Sequence, residues 1–248
     1  SEMCIRDSYQ GLEVLNFYKA YRALVRAKVS LFSMPSEASP VQRATTLRQY
    51  RNYANLAESY STIPSRFLAI THGVSAVGKS HVSMRLVEAL GAVRVRSDVE
   101  RKRLFGEQHV ENTPQAGIYA SDASAKTYAR LNDIADTVLR AGFPVVLDAT
   151  FLKREQRETA AQVAEATGAP FLILDCNAPQ AVISSWLAQR QTDKNDPSDA
   201  TLAVIEAQQA NRDPLTAEEL LLSKRVETNQ SGTLDAVVAQ IRQRLPGL

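Results

Sequence analysis

Two spacings of apolar residues divide the chain. Between Tyr9 and about Met34, Val14, Phe17, Tyr18, Tyr21, Leu24, Val25, Val29 and Phe32 recur at steps of three and four, the period of one helical face. Lys19, Arg22, Arg26 and Lys28 fall between them as a solvated face. Pro35, Ser36 and Pro40 break this helix, and a second is expected from about Val41 to Tyr60, with Leu47, Tyr50, Ala54 and Ala57 on one side. Two helices alone bury little, so this portion is expected to dock on a neighbouring domain.

After Pro64 the spacing shortens. Apolar runs at Phe67–Ile70, Ala92–Val95, Pro144–Leu147 and Phe171–Leu174 read as strands. They alternate with helical segments at Lys79–Leu90, Asp98–Leu104, Ser121–Arg140 and Lys153–Thr167, then at about 179–190, 198–210 and 216–222. Residues 106–120, with Pro114 and Gly117, read as a loop; a weaker strand at Lys224–Val226 and a helix at Thr233–Arg244 close the pattern. Short apolar strands alternating with helices call for a parallel sheet covered on both faces. The expected fold is a three-layer α/β domain preceded by a short all-helical segment. Residues 1–8 lack periodicity and read as a non-native leader, which leaves 9–64 as the helical portion and 65–248 as the α/β domain.

Composition narrows the class. At 248 residues the chain is long enough for a core without disulfides. Twenty-nine Lys and Arg against 27 Asp and Glu leave a net charge of +2, which argues against a nucleic-acid partner. Cys4 and Cys176 form no CxxC pair, and His72, His81 and His109 give no metal-ligand spacing with them. No apolar run approaches the ~18–20 residues of a membrane helix, so no membrane partner is expected and the cytoplasm is the expected compartment.

The chemistry begins at Gly73-Val74-Ser75-Ala76-Val77-Gly78-Lys79-Ser80, which fits G-x-x-x-x-G-K-[ST] between an expected strand and an expected helix. Glycines let the backbone curl so that successive N–H groups and a helix N-terminus face one phosphate chain. Lys79 then reaches the β- and γ-phosphates and the Ser80 hydroxyl ligates Mg²⁺. The competing reading is a glycine turn into a helix capped by Ser80. Asp98 leaves the second strand, where α/β sheets bind ligands, and Arg101 follows at the spacing of one helical face. Asp98 suits deprotonation of a substrate hydroxyl, and Arg101 suits the grip on a travelling phosphoryl group; the plain alternative is a cap beside a solvated basic face.

Asp148, after Val145-Val146-Leu147, is the candidate second metal-site residue, holding Mg²⁺ through a water, or else a helix cap. Asp175 is similarly placed and reads as a cap. Lys153, Arg154 and Arg157 fit either an anion-holding cluster or an exposed helix start. Arg190 and Arg212 flank the polar stretch Gln191–Asp199, which reads as a lid bringing Arg190 onto the transferring group or as an ordinary surface loop. His72 and His81 are expected to pack or hydrogen-bond, and Trp186 to sit in the core.

On these residues, Phe67 to Leu245 resembles the zeta-toxin-like P-loop kinases, a group similar to gluconate kinase, chloramphenicol phosphotransferase and the 5′-hydroxyl polynucleotide kinases. The resemblance makes Gly73–Ser80 the Walker A loop, Asp98 and Arg101 the acceptor-site pair, Asp148 the aspartate after the third strand and Arg190 a lid arginine. The stretch Asn16-Phe17-Tyr18-Lys19-Ala20-Tyr21-Arg22-Ala23 resembles the tail of an aminoglycoside-phosphotransferase-like domain. Such domains occur joined to C-terminal ATP-binding halves often labelled AAA family. The resemblance implies ATP and Mg²⁺ as cofactors, a small-molecule hydroxyl acceptor and an upstream phosphotransferase-like domain. A nucleotide-sensing or ATPase module is the alternative.

Overall fold

A computed structural model describes residues 9–60, 66–106, 121–191, 202–230 and 232–244, with the side chains at 121 and 189–191 left aside. The chain forms two compact units, Ser1–Pro64 and Ser65–Leu248.

In the first unit a 3₁₀ turn at Tyr9–Gly11 leads into α1 (Leu12–Phe32), and α2 (Pro40–Ser59) packs on it. Pro40 starts α2 because its fixed φ suits a first helical turn, and Ser39 caps it reciprocally with Gln42. The two helices meet through small residues: Ala23 and Ala27 of α1, one turn apart, and Ala57 of α2 are buried. Val14, Phe17, Tyr18, Tyr21, Leu24, Val25, Val29 and Phe32 form a stripe, but the stripe is exposed, from Val25 at 42% to Phe32 at 75%. Alanines let helix axes approach closely, so the close contact goes to the small face and the bulky face is left outside.

In the second unit, five parallel strands run in the order β2-β3-β1-β4-β5. They are β1 (Leu68–His72), β2 (Val93–Arg96), β3 (Val145–Asp148), β4 (Phe171–Asn177) and β5 (Ser223–Glu227). β1 and β3 are buried at every position, as strands covered on both faces must be. β2, at an edge, alternates buried valines with half-buried Arg94 and Arg96. One face is covered by α3 (Lys79–Leu90) and α10 (Thr233–Arg244). With them pack Ile183 and Leu187 of α7 (Gln180–Gln191) and Ile205 of α8 (Leu202–Ala210), in a core shared with Val74, Leu174 and Val226. The other face carries α5 (Ser121–Arg140), α6 (Arg154–Thr167) and, beside β4 and β5, α9 (Ala217–Leu222). α4 (Ser97–Phe105) leaves β2 directly.

The three-layer α/β expectation therefore holds, with β4 running on to Asn177. The expected loop lies outside the described residues from 107 to 120. Trp186 is half-buried rather than core. Among the described residues no helix is long and apolar enough to cross a membrane.

Candidate functional site

Because all five strands are parallel, their carboxyl ends share one edge of the sheet. Gly73–Ser80 follows β1 at the centre of that edge, Asp148 ends β3 beside it, and Asp98 follows β2 one strand farther.

The loop after β1 is a turn held from four directions. The N–H of Gly73 donates to Thr150 O at 3.1 Å. Val74 O accepts from Lys79 Nζ at 2.5 Å, which draws the lysine across its own loop. Val77 O accepts from Thr228 Oγ1 at 2.7 Å, and the same hydroxyl donates to Asn177 O at 3.0 Å, tying the β5–α10 turn to the loop. Gln208 of α8 takes the Ser75 N–H at 2.7 Å. Two glycines are required. Gly73 has φ +138°, and a Cβ there would lie 2.7 Å from Cys176 O; Gly78 has φ +90° against Thr228. Ala76 takes φ +61° without that freedom. Among the described residues, nothing accepts the N–H groups of Ala76, Val77, Gly78 or Ser80. Consecutive amides without internal partners at a helix start form an anion-binding cradle.

Asp148 is buried and its Oδ2 is fully engaged. Arg94 donates to it through Nε at 3.0 Å and Nη2 at 2.5 Å, and Ser83 Oγ of α3 at 2.9 Å. Ser83 lies three residues beyond Ser80, so this bond holds Asp148 beside the start of α3. Oδ1 takes no hydrogen bond among the described residues. Ser80 Oγ and Asp148 Oδ1 are thus the oxygens of the expected pair that no hydrogen bond occupies among the described residues, and the ones that could hold a hydrated Mg²⁺. No cluster of three or more His, Cys, Asp or Glu suited to a metal occurs among the described residues, and Mg²⁺ bound with phosphates needs only one or two protein oxygens.

Asp98 pairs not with Arg101 but with Arg96, whose Nη2 reaches Oδ2 at 2.5 Å, while its Oδ1 accepts the Val99 N–H at 2.8 Å. Arg101 Nε points towards Thr127 Oγ1 of α5 at 3.5 Å. The neighbouring Tyr128 hydroxyl bonds Thr150 Oγ1 at 3.1 Å and accepts the Phe151 N–H at 3.2 Å. Burial pushes that phenol above its ordinary range, against the pull of these bonds and of the Arg101 charge. Glu100, buried, accepts from Arg103 at 2.6 Å, so Arg103 is not simply solvated.

Other expectations change. Arg157 is neither an anion holder nor an exposed helix start: it is fully buried, pairs with Glu219 at 2.6 and 3.0 Å, and donates to the carbonyls of Phe151, Asp213 and Pro214. Lys153 and the Arg154 N–H both bind the Asp213 carboxylate. Asp175 is a partner to His72, whose Nδ1 donates to it at 2.8 Å, rather than a cap. Arg212 is exposed. Arg190 belongs to α7, but its side chain and residues 192–201, which include most of the expected lid, lie outside the described residues.

The residues not anticipated are Arg94, Arg96, Ser83, Gln208 and Thr228. Only the arginines left a signal in the sequence, as charges at alternate positions of a strand, Val93-Arg94-Val95-Arg96.

Comparison with known proteins places this geometry in context. The family described as AAA domain matches residues 68–215. Uncharacterized proteins of Mycobacterium tuberculosis and Mycobacterium bovis are 27% identical over 201 residues, covering 80% of this chain and 39% of their own length. The chain thus spans about two-fifths of the curated relatives it matches. Among solved structures, a sugar kinase of Janibacter superposes with a TM-score of 0.54 at 16% identity, over 73% of this chain and 94% of the other. A gluconokinase of Sinorhizobium meliloti gives 0.53 at 18%, over 73% and 96%. Kti12 of Chaetomium thermophilum, solved with ADP-AlF3, gives 0.56 at 14%, over 73% and 100%. At these identities the likeness is one of fold alone.

Proposed function

This chain belongs to the AAA domain family, and we propose that its second unit moves the γ-phosphoryl group of ATP to a hydroxyl of a small molecule. The observation that carries the reading is the cradle: the N–H groups of Ala76, Val77, Gly78 and Ser80 meet no acceptor among the described residues, and Lys79 is drawn across the same loop to Val74 O. In this reading Lys79 swings from Val74 O to the β- and γ-phosphates. Bound Mg²⁺ supplies charge neutralisation across those phosphates, and Ser80 with Asp148, through water, would hold it.

Asp98 takes the proton of the acceptor hydroxyl as the acceptor oxygen bonds to the γ-phosphorus. The bond from that phosphorus to the β–γ bridging oxygen breaks, and ADP leaves. Arg96 orients Asp98, Arg101 steadies the acceptor or the moving phosphoryl group, and Arg190 approaches the same charge from the lid. A small net charge of +2 favours a small acceptor over a nucleic acid. The zeta-toxin-like kinases are the group this reading resembles most. Residues 9–64 are read as part of an aminoglycoside-phosphotransferase-like domain.

Screening hydroxyl compounds for acceptor-stimulated ADP release, with Lys79→Ala as the blank, tests the proposal. An acceptor that stimulates the native chain and not the variant supports it; folded protein giving no calorimetric heat with any magnesium–nucleoside triphosphate ends it. A second reading, a nucleotide-sensing module, is favoured by one fact: the matched curated proteins are much longer than this chain. It expects slow ATP hydrolysis that no acceptor accelerates.

A further inference from the structure

Gln208 stands 133 residues beyond Ser75, yet its carboxamide meets that one residue twice. Oε1 accepts the Ser75 N–H at 2.7 Å, and Nε2 donates to Ser75 Oγ at 3.0 Å. Glutamine matches the task, because an acceptor and a donor sit side by side on one planar group. Asparagine is one methylene shorter. Three residues earlier on the same face of α8, Ile205 is fully buried in the core cluster to which Val74, Ala76 and Val77 also belong. Helix α8 is therefore anchored in the core by Ile205 and presents a polar clip to the loop.

The clip grips a critical point. Ser75 precedes Ala76, whose φ of +61° is a conformation that alanine avoids without external support. That turn aims the amides that follow it. Spending the Ser75 N–H on Gln208 also removes it from the anion-facing set, which then begins at Ala76.

We infer that Gln208 is a positioning residue of the phosphate loop: its two-point contact with Ser75 holds the turn in the conformer that binds a polyphosphate, so nucleotide affinity depends on a residue of α8. The inference rests on the nucleotide-binding reading given above. Releasing the clip lowers the fraction of loops that are binding-competent, and the apparent Kd rises in inverse proportion.

The test uses the full chain, with Mg-ATP as the probe and calorimetry reporting both Kd and the number of sites. Gln208→Met keeps length and apolar packing but loses both hydrogen bonds, and its Kd is expected to rise about tenfold. Ser75→Ala loses only the Oγ contact and is expected to rise about threefold. Combining the two should add nothing to Gln208→Met alone, since they remove one shared interaction. A merely structural role for Gln208 would lower the melting temperature or the number of sites and leave Kd unchanged. Native binding that Lys79→Ala abolishes, together with a Gln208→Met Kd within about twofold of native, overturns the inference while the nucleotide reading stands. Absence of native binding overturns both. Should Gln208→Met not fold, Ser75→Ala decides alone: a Kd equal to native overturns the inference.

Discussion

The loop after β1 and the helix after β2 leave the same edge of one sheet but are held by different chemistry. The loop is clamped largely through its backbone, at Gly73 N, Val74 O, Ser75 N and Val77 O, by groups from the segment after β3, its own lysine, α8 and the β5–α10 turn. The wall that carries Asp98 is held by charge: Arg94 on Asp148, Arg96 on Asp98, Arg103 on Glu100. Backbone clamps fix a shape, which suits an invariant polyphosphate. Ion pairs fix a charge balance that an incoming group can rearrange, which suits a reacting partner.

Breaking the charged wall at its centre should have the largest effect. Asp98→Asn keeps the shape but cannot take a proton, so turnover should fall by about 10²–10⁴. The Kd for Mg-ATP, measured by calorimetry, should stay within a few fold; equal turnover would remove Asp98 from the chemistry. Next comes Arg94→Met. With side chains only 13% and 5% exposed, Arg94 and Asp148 form a buried pair, and removing one partner strands the other at a cost of about 3 kcal/mol. Urea unfolding should show that loss, and adding Asp148→Asn should return part of it.

The backbone-held wall should break through sterics instead. Gly73→Ala drives a Cβ to within 2.7 Å of Cys176 O at a φ side chains rarely adopt, which should cost about 2–3 kcal/mol in the same assay. A loss below about 0.5 kcal/mol would show that the loop relaxes freely, erasing the contrast.

The smallest effect is acid-dependent. Burial raises Asp175, but hydrogen bonds from His72 and Asn177, with the charges of His72 and Arg225, outweigh it and leave the carboxyl below its ordinary range. A carboxyl with a depressed folded value adds stability above its unfolded value of about 3.9 and loses it as pH falls through the folded one. Stability should therefore drop as pH falls from about 5 through the folded value by up to about 1 kcal/mol more in the native chain than in Asp175→Asn; parallel curves would exclude the contribution.

The same contrast explains what was legible in the sequence. Gly73–Ser80 could be read because two glycines that answer backbone demands stand with a lysine and a serine within eight consecutive positions. β1 and β3 could be read because strands buried on both faces leave unbroken apolar runs. The partners of Arg94 could not, because β2 lies beside β3 only once the sheet order is known. Arg157 reads as a helix start because its acceptors arrive from Phe151 and from 213–219, one of them six residues back and the rest more than fifty residues on. Gln208 belongs to no motif. On α1 the period correctly gave a helix and an apolar stripe, but periodicity cannot say which face a neighbour covers, and alanines took the contact.

The clasp between Thr228 and Val77 spans 151 residues of chain. A ribosome therefore releases the loop long before it makes the clasp's other half, and closing so distant a contact belongs to the slow, non-local part of folding. On the proposed reading, grip on a triphosphate is in this sense a late acquisition: an unfinished polypeptide carries the glycines and the lysine, while the finished sheet supplies the hold.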